Sequence, residues 1–281
     1  MAEAPGRKPR KPHSAQVVRT ERLTPHMQRV VLGGEGLAEF AADTCTDHYV
    51  KLLFPAEGVT YPEPFDMQRI REDFPRAQWP VTRTYTVRHW DAEQREISLD
   101  FVVHGDEGLA GPWALRAQPG DTVHFMGPGG AYAPDTGADW HLLAGDESAL
   151  PAIARSLESL QDGTRAHAFI EVSGPEEEQK IDSDVDVVWL HRGARPVGEL
   201  LVEAVRALPF PEGRLHAFVH GEAHFVKQLR HLLRVERAVP REDLSISGYW
   251  RLGHNEDGWQ ESKREWNARI EAEQEGTAPA A

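Results

Sequence analysis

A change of pattern near residues 133–139 constrains this chain more than any other feature of its sequence. Before it, short β-rich runs are separated by Pro, Gly or Asp: SAQVVRTERL, HMQRVVLGG, HYVKLLFP, VTRTYTVRHW, REISLDFVVHG and DTVHFMGPGG. Short strands at turn-limited spacing predict a small antiparallel β-barrel. Only EGLAGPWALRAQ (107–118) interrupts with helical character, and residues 55–80, with five prolines and mixed charge, read as an insertion or lid. After the break, HLLAG, RAHAFIEVSG, DVDVVWLHR, RLHAFVHGE and LSISGYW alternate with ESALPAIARSLESL, VGELLVEAVRAL and AHFVKQLRHLLR. Strands alternating with helices predict a doubly wound parallel sheet. A last helix, DGWQESKREWNARIEAE, is mostly polar, with Trp259 and Trp266 on the one side expected to dock. The expected division is a disordered basic arm (1–13), a β-barrel domain (14–134), an α/β domain (138–252), a C-terminal helix (253–274) and a solvated tail (275–281).

Length agrees with two domains, since 281 residues exceed what one hydrophobic core usually serves. A formal charge of −14 argues against nucleic acid or an acidic membrane as the main partner. It would also repel an anionic substrate unless cations gather locally. The single cysteine, Cys45, excludes an internal disulfide and fits a reducing compartment. No 18-residue apolar run offers a membrane span, and MAEAPGRKPRKP lacks the apolar stretch of a secretion signal. The expected location is the cytoplasm, and the expected state a monomer.

The chemistry concentrates in VTRTYTVRHWD (81–91). Period-two alternation sends Arg83, Tyr85 and Val87 to one face of a strand and Thr84, Thr86 and Arg88 to the other. A flavin dinucleotide needs a cation for its pyrophosphate, an aromatic plane for its ring and a donor near the hydride-accepting nitrogen. Arg83, Tyr85 and Thr86 can supply these in turn. An edge-strand arginine packed against a tyrosine explains the same four residues. LDFVVHGDEGLAGPWA (99–114) adds a strand ending at His104, a bend containing Gly108 and Gly111, and a helix start. Such a bend permits close backbone approach to a phosphate, with Trp113 covering a ring edge, or it is a plain turn with Trp113 in the core.

HYVKLLFP, RTYTV, LDFVVHGDEGLAGPWA, GDTVHFMGPGG, AGDESALPAIA, EVSGPEEEQ and GYWRLGHNEDGW follow one another in an order that covers nearly all of residues 14–266. In this the chain resembles the siderophore-interacting proteins, flavin-dependent ferric-siderophore reductases of the ferredoxin-reductase-like superfamily. The resemblance implies FAD on the barrel, with Arg83, Thr84, Tyr85 and Thr86 as the flavin strand and Thr86 tuning reactivity. Asp100, Phe101, Val102, His104, Gly108, Leu109, Ala110 and Trp113 would contact the rest of the dinucleotide. It also implies NADPH or NADH as electron donor at the first strand-to-helix turn of the second domain, near Asp146, Glu147, Ser148, Ala149 and Glu222. That turn lacks the glycines of a Rossmann pyrophosphate cradle, and helix capping by Asp146, Glu147 or Ser148 accounts for it as well.

The substrate implied is a ferric siderophore, bulky and often anionic, so Lys51, Arg83, Arg88 and Lys227 are the candidate cations of its cleft. A general flavin or electron-transfer reductase and a non-enzymatic siderophore-binding protein are the competing readings. Tyr249 and Trp250 end the last strand, where an aromatic could shield the flavin or simply fill the core. GPGG (127–130) reads as a type II turn. His216, His220 and His224 cross a strand–helix junction and are not expected to hold a metal. Glu176–Glu178 reads as a solvated loop.

Overall fold

The computed structural model describes residues 11–275 apart from 43 and 107. The arm and tail expected at the two ends lie almost wholly outside these residues, although His13, assigned to the arm, begins the first strand. The barrel strands are β1 (His13–Thr24), β2 (Met27–Gly33), β3 (Tyr49–Phe54), β4 (Val81–Asp91), β5 (Glu96–Val102) and β6 (Thr122–Gly129). They close in the order β1-β2-β5-β4-β3-β6 through antiparallel pairs. Alternation sets the core: Val50, Leu52 and Phe54 of β3 turn inward to meet Val30, Leu32, Val87, Leu99 and Phe125, while Lys51 faces out. The helix α2 (Ala110–Arg116) packs against this core through Ala110 and Ala114.

The insertion between β3 and β4 carries the helix α1 (Met67–Asp73), capped by the Asp66 side chain on the Gln68 amide. Tyr61, Phe65 and Phe74 form its own aromatic cluster, and Phe65 stacks on His124 of β6 at 4.1 Å, fixing the insertion to the barrel. GPGG does not form the expected turn; residues 127–129 continue β6. Gly127 has φ +140°, and a Cβ there would sit 3.0 Å from the Tyr49 carbonyl. Only glycine lets the two strands approach at that point.

The second sheet comprises β7 (Trp140–Asp146), β8 (Ala166–Val172), β9 (Val187–His191), β10 (Leu215–Glu222) and β11 (Leu244–Trp250). All pairs are parallel, in the order β11-β10-β7-β8-β9. Central strands β7 and β10 are buried along their whole length, as strands covered on both faces must be. The helices α3 (Leu150–Glu158), α4 (Glu199–Ala207) and α5 (Ala223–His231) supply that cover. The C-terminal helix α6 (Glu256–Glu275) docks through Trp259, which is buried, and more loosely through Trp266.

Polar contacts join the halves. Arg88 of β4 forms a bidentate pair with Glu158 of α3, at 2.7 and 2.5 Å. Thr46 and Ser156 share a 2.7 Å hydrogen bond. Glu177 is buried, not the solvated loop residue expected; it accepts from the Thr24 hydroxyl, the His26 amide and the His26 ring across the interface.

Several histidines are held neutral inside the second domain. Burial pushes His141 down to about 4 and His220 down to about 3. The unfolded chain takes up these protons near the ordinary histidine value of about 6.5, while the folded chain refuses them. Stability is therefore complete above about pH 6.5 and lost as pH falls from there toward 4. Thermal unfolding followed from pH 7.5 to 4.5 should show a falling melting temperature, and His220→Phe should flatten that fall.

Candidate functional site

The barrel is sealed unevenly. β4 pairs with β3 over Val81–Thr86, but its ladder to β5 starts only at Val87. The first half of β4 therefore presents backbone groups to no strand on that side, and these must find other partners. The Thr84 amide finds the Glu256 carboxylate of α6 at 3.2 Å.

Along this open seam the two faces of β4 separate as alternation predicts. Tyr85, opposite Val50, turns inward and lies 4.1 Å from the Phe101 ring. Burial pushes its phenol above the usual tyrosine range, so it stays neutral at any working pH. Arg83 reaches the α6 end of the seam, where Nη1 and Nη2 bind Asp257 at 2.8 and 3.1 Å and Nε faces Glu256 at 3.3 Å. Thr86 sits opposite Tyr49, and its hydroxyl bonds to none of the described residues. Arg88, further along, is committed to Glu158.

The second predicted segment divides into an exposed part and a supporting part. His104 and Gly108 lie exposed on the bend after β5, with Leu109 and Val102 half-buried beside them. Gly108 has φ +82° and open space where a Cβ would stand. Behind them Phe101 and Ala110 belong to the barrel core, and Trp113 packs edge-on against Phe54 at 5.4 Å. Both oxygens of Asp100 are taken by Arg29, at 2.7 and 2.8 Å. A cation, a neutral aromatic, an unpartnered hydroxyl and an exposed glycine bend along one strand edge form a donor set that suits FAD.

At the carboxyl ends of the parallel strands, where such sheets take ligands, the predicted nicotinamide residues are engaged with one another. Asp146 is fully buried and accepts from the Ser148 amide and hydroxyl, the Glu222 amide and the Trp250 indole, at 2.5–3.0 Å. Burial pushes its carboxyl up to about 6 despite these donors. Glu222 caps α5, accepting from the His224 amide and ring, and also accepts from the Leu252 amide. Ala149 has no exposure. Glu147 is half-buried and pairs with Arg192 at 2.8 Å. Trp250 is thus a partner of Asp146, and Tyr249 is packed against His220 at 4.8 Å.

Of the candidate substrate cations, Lys227 pairs with Glu273 on the α5–α6 side. Lys51 is exposed on the outer face of β3 opposite Thr84, and neither it nor Lys263 of α6 pairs with a carboxylate among the described residues. Burial and the neighbouring Lys51 charge push the Lys263 ammonium below its ordinary value. Sequence reading passes over Lys263, Glu256 and Asp257. Their only local signal is acid at a helix start and base further in, which the helix dipole explains without a site.

A closed antiparallel barrel followed by a parallel α/β sheet is the ferredoxin-reductase architecture. The ferredoxin reductase of carbazole 1,9a-dioxygenase shares it with a TM-score of 0.60 at 18% identity, over 85% of this chain and 69% of that one. Residues 16–132 match the siderophore-interacting FAD-binding domain and residues 138–253 match the siderophore-interacting protein model, so the chain belongs to the siderophore-interacting family. It is 35% identical to the ferric vibriobactin reductase ViuB of Vibrio cholerae over 90% of this chain and 94% of that protein. A siderophore utilization protein from T. fusca is 38% identical with a TM-score of 0.76, over 88% of this chain and 95% of its own.

The Asp146 junction yields a stability test. Asp146→Ala strips the buried Glu222 amide, at a cost of about 1–3 kcal/mol, and the part-buried donors on Ser148 and Trp250 of their acceptor. Unfolding in urea at pH 7.5 should lose about 3 kcal/mol or more, whereas Glu147→Ala on the rim should lose about 1 kcal/mol or less.

Proposed function

We propose that the protein uses FAD, held along the β4 seam, to reduce the iron of a ferric siderophore with electrons from NADPH or NADH. Family membership supports the reaction class. The observation that supports the substrate reading is that Lys51 stands exposed on the outer face of β3 opposite Thr84, beside the seam, with no carboxylate partner among the described residues. An exposed cation unpaired among the described residues, with the Lys263 ammonium held below its ordinary value by burial and by the Lys51 charge, favours an anion in a chain of net charge −14.

Bound FAD supplies the conversion between a two-electron donor and a one-electron acceptor. The work of this chain is placement. Arg83 binds the pyrophosphate as a charge-assisted fork. Tyr85, neutral and backed by Phe101, offers a flat apolar wall. Thr86, whose hydroxyl is unpartnered among the described residues, would donate to a ring nitrogen of the flavin and tune its reactivity. Lys51 and Lys263 draw an anionic ferric chelate to the seam, and Glu147 with Arg192 offers the rim on which the nicotinamide nucleotide lies. Reduction releases the metal because Fe(II), with its lower charge density, is held more weakly by hard oxygen ligands. No acid–base residue is required.

Anaerobic mixing of the flavin-loaded protein with each nicotinamide should bleach absorbance near ~450 nm, a property of oxidised flavins generally. A ferric catecholate added afterwards should restore it. Lys51→Ala with Lys263→Ala should raise KM for that chelate about tenfold or more with a smaller change in kcat, since uniform binding is lost. Reduced protein that reoxidises with free flavin or a carrier protein but ignores ferric chelates would transfer the reading to a general reductase.

A further inference from the structure

The contacts of Arg83 say more than that a cation lies in the seam. Asp257 takes the guanidinium edge-on through two nitrogens and Glu256 faces the third, while Nη1 also donates to the Thr82 carbonyl at 2.9 Å. The same Glu256 carboxylate accepts the Thr84 amide. One cation and one free strand amide are thus both satisfied by two adjacent carboxylates on the first turn of α6. A pyrophosphate presents the same chemistry: two neighbouring anions, each rich in acceptor oxygens. The two pairs cannot share one guanidinium fork, because four like charges would then crowd a single cation.

The rest of α6 is anchored independently of Arg83. Trp259 is buried, and a Cβ on Gly248 would already stand 3.1 Å from its ring, so the helix is tightly seated one turn further on. Between the Leu252 amide, which Glu222 holds, and Trp259, residues 253–255 are exposed, Gly253 has φ +78°, and Asn255 caps the helix from its own side chain through the Gly258 amide. The first turn can therefore leave the seam while Trp259 remains docked.

We infer that Glu256 and Asp257 form an internal strap that mimics the FAD pyrophosphate, holds Arg83 and the Thr84 amide when FAD is absent, and is displaced when FAD binds. This rests on the reading of Arg83 as the pyrophosphate ligand. The strap keeps an otherwise naked cation and strand amide satisfied in the apoprotein, at the expense of flavin affinity. It also couples the flavin to α6, the helix that carries Lys263.

The test uses full-length apoprotein titrated with FAD and read by quenching of flavin fluorescence, with hydrogen exchange over α6 as an independent observable. Removing the two charges in Glu256→Gln/Asp257→Asn should tighten FAD binding about tenfold, equivalent to about 1.4 kcal/mol of lost competition. In the wild type, FAD should speed amide exchange at residues 258–261, whose acceptors lie on Asn255 and the first turn, and leave later amides of the helix protected. Thermal unfolding of the double variant checks that it is folded. Equal or weaker FAD binding by the double variant, with exchange at 258–261 unchanged or slowed by FAD, would overturn the strap. Arg83→Ala separates the two ideas. If it weakens FAD binding while the double variant does not tighten it, the flavin reading stands and the strap alone falls. If Arg83→Ala leaves FAD affinity unchanged, the flavin reading falls and the strap with it.

Discussion

A sheet edge that is not closed by its neighbour governs this molecule. β4 pairs with β3 over Val81–Thr86 and meets β5 only from Val87 onward, so its first half has a strand on one side alone. Backbone donors cannot be left dry and unpartnered, so the first half of β4 must bind something that is not a strand. Arg83 adds a full positive charge to that requirement. Here the need is met by carboxylates brought from the far end of the chain. The barrel core behind it is a complete hydrophobic unit, with Leu52, Leu99 and Phe125 wholly buried. The open seam can therefore change partners without disturbing the packing that supports it.

The second domain solves a different problem. Its carboxyl-end loops converge on Asp146, one carboxylate serving donors from Ser148, Glu222 and Trp250. The strand ends of β7, β10 and β11 are tied together at this one carboxylate. What remains at the rim is Glu147 with Arg192, and Arg192 is itself braced by the buried Glu171 at 3.3 Å. The raised carboxyl of Asp146 also acts on pH stability in the opposite direction from the buried histidines. A group that binds its proton more readily when folded favours the fold as pH drops through about 6, so the histidine effect is partly offset.

Much of this architecture is legible in the sequence because it is written locally. The alternation of VTRTYTVRHWD places Tyr85 and Val87 inside and Thr84 and Thr86 outside, and the strand–helix alternation after residue 139 gives the parallel sheet. What escapes is written across distance. Nothing near Arg83 announces that its partners are 173 and 174 residues away, at Glu256 and Asp257. Asp146, in a turn that also reads as a cap, becomes a junction only when Trp250 arrives from β11. Asp100 sits within a flavin-like motif yet is claimed by Arg29 on the adjacent strand. GPGG misleads for a related reason: its glycines answer to the backbone of β3 and not to a turn of their own.

Hydrogen bonds between the halves join residues far apart in sequence. Glu177 reaches Thr24 across 153 residues, and Ser156 meets Thr46 across 110. Such closures can form only after both ends have been made, whereas every barrel strand is complete by residue 129. During synthesis the barrel is thus able to collapse while the parallel sheet is still being assembled on the ribosome. Glu177 then meets a finished surface, and docking of the halves becomes a late step in the birth of the molecule.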